Sequence, residues 1–461
     1  MTERSKVAVV LAAGKGTRMR SRRPKVLHEV AGRPMLAWVL DAARAAGCDR
    51  LVVVVGHGAD SVRAAVAADD VWFVVQSEQL GTGHALAQAA PEITAPADLL
   101  VLSGDVPLLR RETLSRLAAA PGWGAVAVAT LDTPGSLGRV VARPGGETLE
   151  RIVEAADASL EELAIRTINA GIYRLPAPEI FTALEALEPD NAKGELYLTD
   201  ALGAAADGGE NVALVELDDP AEAFGANDRR DLARIHRAFV DRALDALEEA
   251  GVTLLDRAST TIEPGVAIGP DTVLHGGVTV MGASRIGAGC ALHQGAWLRD
   301  SVVADDCVIE PYSVLDGAEV GAGCTVGPFA RLRPGARLEA GAKVGNYVEV
   351  KNATLGAGAK AGHLAYLGDA EIGAGANIGA GAVTCNYDGA AKHRTRIGER
   401  AFVGSDTMLV APVEVGDDAS TAAGSVVTHD VPDGALAVGR AKQRNIEGWA
   451  RRREKKRDEK S

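Results

Sequence analysis

The chain has 461 residues, of which 47% are hydrophobic and 24% charged, a composition that excludes a small single module and a disordered chain. Its formal net charge of -13 argues against nucleic acid as a partner, so a bound polyphosphate must be held by local cations and a metal ion. No apolar run reaches the roughly 18 residues of a membrane span, and the first residues lack the apolar core of a signal peptide. We therefore expect a cytoplasmic protein with no membrane insertion.

The cysteines are odd in number and show no C-x-x-C spacing, which argues against a disulfide framework and a zinc cluster. They are Cys48, Cys290, Cys307, Cys324 and Cys385. We expect reduced thiols.

The first half of the chain alternates short apolar runs with segments of helical length. The runs are Val7–Leu11, Leu51–Val55, Val71–Val75, Leu99–Leu102 and Ala125–Ala129. Such runs indicate buried parallel strands of an α/β sheet, and Met35–Ala46 is typical of an intervening helix. In open sheets of this kind, ligands bind beyond the carboxyl ends of the strands.

The second half follows a six-residue period that begins after a glycine-free amphipathic segment, residues 228–250, which predicts one long helix. An aliphatic residue recurs at Ile262, Ile268, Leu274, Val280, Ile286, Leu292 and Leu298, then at Val302, Val308, Val314, Val320, Val326, Leu332, Leu338, Val344 and Val350. The phase slips at Leu355 and again at Ile372, and it resumes at Ile397. A period this short favours a parallel β-helix, with the aliphatic residues in its interior.

These patterns predict four parts of the chain. A nucleotide-handling domain spans residues 1–227, a linker helix 228–250, a β-helix domain 251–432 and a tail 433–461. The basic cluster at residues 451–457 is interpreted as a solvated tail rather than a nucleic-acid patch. We also expect Asp218 and Asp219, before Pro220, to form a solvated turn.

A glycine-rich loop follows the first predicted strand. It reads Leu11-Ala12-Ala13-Gly14-Lys15-Gly16-Thr17-Arg18-Met19, with Pro24-Lys25 downstream. Small residues let backbone amides approach a polyphosphate, and Arg18 and Lys25 supply positive charge. The loop lacks the third glycine of G-x-G-x-x-G and the Gly-Lys-Ser/Thr of a P-loop, so a plain strand-to-helix turn remains the alternative.

The complete string with its downstream Pro-Lys resembles the signature of sugar-1-phosphate nucleotidyltransferases. The resemblance implies nucleotide contacts from Leu11, Ala12, Ala13, Gly14, Lys25, Gln76, Gly81 and Thr82, with Gln76, Gly81 and Thr82 at the uracil base. It implies sugar contacts from Ser103, Gly104, Gly138, Glu154, Asn169 and Asn227, and catalytic charge from Arg18 and Lys25. Asp105 and Asn227 would hold Mg²⁺, which characteristically takes one or two protein oxygens. Gly135-Ser136-Leu137-Gly138 departs from the usual glycine-tyrosine-glycine of the family, which bears on the sugar contacts.

Polar residues interrupt the repeat where a purely structural solenoid needs none. The period fails between Thr384 and Ile397, so the intervening residues must leave the coil as a loop, where function often collects. Nearby lie Arg333, Lys351, His363, Tyr366 and Asn377. A lone histidine in such a place is more often structural than catalytic.

The segment Gly362-His363-Leu364-Ala365-Tyr366-Leu367-Gly368-Asp369 resembles a motif of the family of bifunctional N-acetylglucosamine-1-phosphate uridyltransferases and glucosamine-1-phosphate acetyltransferases. The resemblance implies a left-handed β-helix, His363 as the base for acetyl transfer, and a homotrimer. Arg333 and Lys351 would hold the sugar phosphate, with Tyr366 and Asn377 beside the sugar. Acetyl-CoA would lie along Ala380, Asn386, Tyr387, Ser405, Ala423 and Arg440.

The expected function is the two-step synthesis of UDP-N-acetylglucosamine. Glucosamine-1-phosphate is acetylated with acetyl-CoA, and the resulting N-acetylglucosamine-1-phosphate is coupled to UTP with release of pyrophosphate. One alternative is a single-activity sugar-1-phosphate nucleotidyltransferase whose β-helix only assembles subunits. Another is a scaffold protein with degenerate sites, against which Arg18, Lys25, Asp105 and Asn227 all argue.

Overall fold

The computed structural model describes residues 4–188 and 194–459. The chain divides into two compact units, Met1–Arg242 and Ala243–Ser461. This division falls inside a single helix, Arg229–Glu249, the long helix that the sequence predicts.

The first unit alternates strands and helices. Its strands are β1 (Ser5–Ala12), β2 (Glu29–Val30), β3 (Arg33–Pro34), β4 (Arg50–Val55), β5 (Val71–Val75), β6 (Ala97–Ser103), β7 (Gly124–Thr130), β8 (Arg139–Ala142), β9 (Leu149–Val153), β10 (Thr167–Ala177) and β11 (Val212–Glu216). Its helices are α1 (Met35–Ala45), α2 (Ala59–Val66), α3 (Thr82–Ala87), α4 (Arg111–Ala119), α5 (Leu160–Leu163), α6 (Glu179–Glu185) and α7 (Leu198–Asp207), followed by α8 (Arg229–Glu249).

The main sheet has the Rossmann-like order β11-β7-β10-β6-β1-β4-β5, with β8 and β9 paired beside β10. All five predicted strands are present, and β1 pairs in parallel with β4 and β6. The sheet is nevertheless mixed, because β10 runs antiparallel between β6 and β7. Alternate β1 residues enter two different cores, Ala8 and Val10 on one face and Val7 and Val9 on the other, as expected of a sheet covered on both faces.

Helix α8 is fastened to the first unit by its apolar face. Ile235 and Phe239 enter a small core with Val30, Met35 and Leu108. The Phe239 ring lies 4.8 Å from that of Trp38, measured between centroids. This packing fixes the start of α8, which follows Asn227 directly.

The second unit is a left-handed parallel β-helix of three sheets, in which a strand pairs with the third strand along the chain, except at the end, where β39 pairs with β41. Its strands, β12 to β41 in order, are Thr253–Leu254, Thr261–Ile262, Ala267–Ile268, Val273–Leu274, Thr279–Met281, Arg285–Ile286, Ala291–Leu292, Trp297–Arg299, Val302–Val303, Val308–Ile309, Val314–Asp316, Glu319–Val320, Thr325–Val326, Arg331–Leu332, Arg337–Leu338, Lys343–Asn346, Glu349–Lys351, Thr354–Leu355, Lys360–His363, Tyr366–Gly368, Ala370–Ile372, Asn377–Ile378, Val383–Cys385, Thr395–Ile397, Phe402–Val403, Met408–Val410, Val413–Val415, Ser420–Thr421, Val426–Val427 and Leu436–Ala437. The helix α9 (Trp449–Asp458) follows.

The predicted repeat is confirmed, but its register is wrong over one stretch. Val303, Ile309 and Leu315 occupy the interior, rather than the preceding Val302, Val308 and Val314. The phase slips here because the corner after Leu298 spans five residues instead of six, with Asp300 in the left-handed backbone region at φ 47°. Aspartate and asparagine tolerate that region better than β-branched residues do.

The predicted loop is present between β34, which ends at Cys385, and β35, which begins at Thr395. All five cysteines are free thiols, as the sequence predicts. Within residues 4–188 and 194–459, no helix combines the length and apolarity needed to cross a bilayer.

Candidate functional sites

The carboxyl ends of β1 and β6 open into a cleft of the first unit with a volume of about 470 Å³. Its lining includes the predicted residues Arg18, Ser103, Asp105, Asn169 and Asn227. These residues come from four separate segments of the chain, because Ser103 and Asp105 belong to the same one. The cleft therefore lies where an α/β sheet of this kind places its ligands.

Two pairs, each made of a cationic side chain and an oxygen acceptor, lie at this cleft. Lys25 Nζ donates to Asp105 Oδ2, and both side chains are largely shielded from solvent. Arg18 donates to Asn227 Oδ1 over 2.9 Å. The backbone joins the two acceptors, because the Ala226 amide donates to the Asp105 carbonyl over 3.1 Å.

The donor set at this point suits a hard divalent cation. Asp105 offers a carboxylate and Asn227 an amide oxygen, the ligand types that Mg²⁺ prefers, and Mg²⁺ needs few protein ligands because phosphates and water complete its shell. In the structure both oxygens already attract cationic side chains. Among the described residues, no cluster of three or more His, Cys, Asp or Glu side chains could hold a metal ion.

The turn of the glycine-rich loop packs against Lys25. Gly16 has φ 59°, and a Cβ at this position would lie 2.7 Å from the Cβ of Lys25. Any side chain there would displace the lysine. Leu11, Ala12 and Ala13 precede the turn at the end of β1, and the Leu11 carbonyl accepts from the Gly104 amide over 2.9 Å, which ties the loop to the Ser103-Gly104-Asp105 segment. Nothing lies within 4 Å of a Cβ built on Gly14.

The side-chain amide of Gln76 is buried, and its nitrogen is engaged by neighbouring groups. Its side chain is 3% exposed, and its Nε2 donates to the Gly81 carbonyl over 3.1 Å and lies 3.1 Å from His84 Nδ1. This leaves Oε1 as the available acceptor. Gly81 has φ 107°, and a Cβ there would lie 2.4 Å from the Leu196 carbonyl oxygen. Thr82 Oγ1 accepts from the Leu198 amide over 3.0 Å.

The predicted sugar residues converge around β8 and β10. The Asn169 amide donates to the Gly138 carbonyl over 2.9 Å, and Glu154 Oε1 lies 3.4 Å from the position of a Cβ on Gly138. Asn169 Nδ2 donates to the Tyr173 hydroxyl over 2.7 Å. Burial raises the pKa of Tyr173, so its hydroxyl stays protonated. Sequence reasoning missed Tyr173, since an apolar strand position carries no motif.

A half-buried ionic cluster beside the cleft contradicts the prediction of a solvated turn at Asp219. Asp218 is exposed, but Asp219 accepts from Arg110 and Arg242, each over 2.8 Å. Next to it, the fully buried Glu222 accepts from the Arg110 amide over 2.9 Å and from Thr113 Oγ1 over 3.0 Å. This turn therefore links the segment that leads to Asn227 with the start of α4.

In the second unit, two lysine side chains lie beside the Asp369 carboxylate, and an arginine paired with a different carboxylate lies one coil earlier. Lys351 Nζ is 3.9 Å from Asp369 Oδ2, and Lys351 lowers the pKa of Lys392, which reaches it from the loop. Arg333 donates to Glu349 over 2.8 Å and lies one coil before Lys351 in the same sheet. Lys392 was not predicted, because it stands 41 positions beyond Lys351 in the sequence and only the loop fold brings it back.

Asp369 accepts hydrogen bonds from two asparagine side chains in this cluster. Burial opposes its ionisation, but hydrogen bonds from Asn352 and Asn386, with Lys351 nearby, outweigh burial and lower its pKa. Tyr366 and Asn386 crowd Gly368 closely, since a Cβ there would lie 2.5 Å from the Tyr366 hydroxyl oxygen and 2.8 Å from Asn386 Nδ2. Tyr366 and Asn386 are therefore neighbours, as the predicted acetyl site requires.

The other predicted acetyl-site residues follow the β-helix axis. Pairing of Ala361, Ile378, Val403 and Thr421 in successive coils places the residues two positions later in one row: His363, Ala380, Ser405 and Ala423. Asn377 lies on the strand between His363 and Ser405, and Arg440 Cδ is 3.9 Å from a Cβ built on Gly424. Tyr387 is exposed, and its hydroxyl donates to the Gly389 carbonyl over 2.6 Å.

His363 has one side-chain partner, Asn346. Its Nδ1 lies 2.6 Å from Asn346 Oδ1, and the two residues are register partners on adjacent strands. Sequence reasoning missed Asn346. The signal was the coil length, because a residue 17 positions earlier occupies the same place one coil before.

Comparisons with known proteins agree with both halves. A family model described as "MobA-like NTP transferase domain" matches residues 8–194. A solved UDP-glucose pyrophosphorylase with UDP-glucose aligns with 52% of this chain and 99% of its own, at 19% identity and a TM-score of 0.44, a likeness too distant to bear on function.

Relatives match almost the whole chain. "Bifunctional protein GlmU" of Syntrophotalea carbinolica is 49% identical, over 97% of each chain. The protein of the same name from Pelobacter propionicus is 48% identical over 97% of this chain and 99% of its own. That of Stutzerimonas stutzeri is 50% identical over 96% and 98%. This chain belongs to the GlmU family of bifunctional proteins.

Proposed function

We propose that this enzyme makes UDP-N-acetylglucosamine at two separate sites. The second unit acetylates glucosamine-1-phosphate with acetyl-CoA, and the first unit couples the product to UTP and releases pyrophosphate. The observation that carries this proposal is that each unit holds its own polar cluster, around Asp105 in the cleft and around His363 on the β-helix.

In the uridylyl reaction, an oxygen of the sugar-1-phosphate forms a bond to the α-phosphorus of UTP, and the bond to the β-phosphate oxygen breaks. The attacking phosphate is already anionic, so no protein base is required. Catalysis is then mostly positioning and charge neutralisation. Arg18 and Lys25 are the side chains that neutralise the phosphates, because both already face the cleft oxygens.

Asp105 and Asn227 would hold Mg²⁺, which when bound offsets negative charge on the phosphates. Lys25 and Arg18 would then turn from these oxygens toward the phosphates. Leu11, Ala12, Ala13 and Gly14 offer the small loop surface for the nucleotide.

Gln76 supports the choice of UTP. Its amide nitrogen is occupied by the Gly81 carbonyl, so Oε1 is the end that meets a base. An acceptor suits the N3–H of uracil and faces a lone pair in cytosine. Gly81 and Thr82 complete this side, whereas Ser103, Gly104, Gly138, Glu154 and Asn169 serve the sugar.

In the acetyl reaction, the amine nitrogen of the sugar attacks the thioester carbonyl carbon and the carbon–sulfur bond breaks. His363 takes the proton that the amine loses and passes it to the departing thiolate, a task suited to an imidazole near neutral pH. Arg333, Lys351 and Lys392 hold the sugar phosphate by charge-assisted hydrogen bonds. Tyr366, Asn377, Asn386 and Tyr387 orient the sugar and acetyl group, and Ala380, Ser405, Ala423 and Arg440 follow the coenzyme.

We place the enzyme in the cytoplasm as a homotrimer. The trimer is supported by a stacked ladder of exposed rings, Tyr312, Phe329 and Tyr347, with successive centroids 5.4 Å apart. Leu364, next to His363, is also exposed and extends this apolar surface. Association would remove it from water.

Two product assays on the purified enzyme test the proposal. We expect coenzyme A release only when acetyl-CoA and glucosamine-1-phosphate are both present, and pyrophosphate release only with UTP and N-acetylglucosamine-1-phosphate. Pyrophosphate release without any coenzyme A release would instead favour a single-activity nucleotidyltransferase with a structural β-helix.

A further inference from the structure

We infer that Asn346 is a positioning residue for acetyl transfer, which fixes the ring and the tautomer of His363. The inference rests on the proposed role of His363. It starts from the 2.6 Å contact between Asn346 Oδ1 and His363 Nδ1. An amide oxygen can only accept, so the ring must donate from Nδ1.

Donation from Nδ1 decides where the ring can take up a proton. A neutral imidazole carries one hydrogen, so a hydrogen on Nδ1 leaves the lone pair on Nε2. Nε2 is then the atom that receives the proton of the sugar amine. Without Asn346 the ring would be free to rotate and to populate the other tautomer.

The backbone of Asn346, like its side chain, contacts the His363-Leu364 turn. Its carbonyl accepts from the Leu364 amide over 3.0 Å, and Leu364 is held in the left-handed region at φ 50°. Gly345 and Gly362 permit this close stacking, since a Cβ on Gly345 would lie 1.9 Å from the Gly362 carbonyl oxygen. Both ends of Asn346 therefore fix the His363-Leu364 turn.

The strands next to the pair carry few charged residues. On the strands β27 and β30, the charged residues are Lys343 and Lys360, which pair with each other at the opposite ends of those strands. Strand β33, on the other side of β30, carries Asn377 and Ile378. A negative charge placed at position 346 would therefore be the nearest charge on these strands to the ring.

The test uses Asn346→Ala and Asn346→Asp, each made alone and in combination with His363→Ala. For every variant, kcat and KM of acetyl transfer are measured from mildly acidic to neutral pH. A positioned base contributes about 100-fold or more, so we expect Asn346→Ala to lower kcat about tenfold and leave both KM values within about twofold. Asn346→Asp should retain activity and move the acidic limb of the profile to higher pH, because a carboxylate favours the protonated ring. In the His363→Ala background, Asn346→Ala should have no further effect.

Two controls keep the result specific. Uridylyl activity of the same samples reports intact protein, and Lys360→Ala on the same strand should leave acetyl transfer within about twofold. The inference is overturned if Asn346→Ala leaves kcat unchanged, changes only KM, or has equal effects in both backgrounds. It is also overturned if Asn346→Asp leaves the pH profile unmoved. A wild-type enzyme without acetyl transfer would instead refute the proposed function on which it rests.

Discussion

At the proposed acetyl site, the cationic side chains already have carboxylate partners. These carboxylates compete with a substrate phosphate for the same cations. Arg333 donates to Glu349, and Lys351 stands near Asp369. A phosphate that enters this corner must draw the cations away from carboxylates. In the proposed acetyl site, the affinity for glucosamine-1-phosphate would therefore depend on the balance between each cation and its carboxylate partner.

Replacing Arg333 with alanine should weaken sugar-phosphate binding while sparing acetyl-CoA. The change removes a charge-assisted hydrogen bond and leaves Glu349 unpaired, so we expect the KM for glucosamine-1-phosphate to rise about 10- to 100-fold. Steady-state kinetics with each substrate varied in turn measures this. Glu349→Gln is the matched variant, and it should leave that KM unchanged or lower it. A rise in the acetyl-CoA KM alone would contradict the assignment.

Short motifs made the residues of the uridylyl cleft predictable. Arg18, Lys25, Asp105 and Asn169 were each identified from local strings, and the fold brings them to one place. Asn346 and Lys392 could not be found in this way, because their partners lie one coil or one loop away. Glu222 looked ordinary, since nothing in its sequence neighbourhood indicates that it is buried.

At the scale of elements, the segment from Asp219 to Asn227 connects α8 to the cleft. Glu222 holds the start of α4, Asp219 holds Arg242 on α8, and Ala226 bonds to the Asp105 backbone. The segments that carry Asp105 and Asn227 are thus held together by this half-buried ionic cluster and by the Ala226–Asp105 backbone bond.

Glu222 should make stability depend on pH in an unusual direction. Burial raises its pKa, so between its ordinary and raised values the folded state binds more protons than the unfolded state. Stability then falls as pH rises through that window. We expect Glu222→Gln to reduce this loss, measured as the difference in Tm between mildly acidic and neutral buffers. An unchanged or steeper loss in the variant would contradict this account.

The order of elements was easier to predict than their pairing. Helix α1 and the five strand runs were expected from apolar periodicity, but the antiparallel insertion of β10 depends on long-range pairing that no local pattern encodes. In the β-helix, the six-residue period was visible except at its phase slips and in the loop between Thr384 and Ile397. The one-residue error from Val302 to Val314 arose because each of these valines is followed by another aliphatic residue, so either register places an aliphatic side chain in the interior.

At the scale of the whole molecule, self-association should depend on the aromatic ladder. Tyr312, Phe329 and Tyr347 are 49%, 46% and 58% exposed. Phe329→Asp places a charge in the middle of the ladder, so we expect it to shift the light-scattering mass from that of the proposed trimer toward that of a monomer.

Val302→Asp is the matched control for this experiment, because Val302 is 48% exposed on a strand between charged Arg285 and Glu319. Its mass should remain that of a trimer. Equal dissociation of both variants, or of neither, would show that the ladder is not the contact surface.

Independence of the two sites is tested most directly by two single variants assayed for both products. Asp105→Ala should remove most of the pyrophosphate release and leave coenzyme A release intact, and His363→Ala should leave only a residual coenzyme A release while pyrophosphate release stays intact. Both variants keep one activity as an internal measure of folding. Loss of both activities in each variant, with the protein still folded, would contradict the division of labour between the cleft and the β-helix.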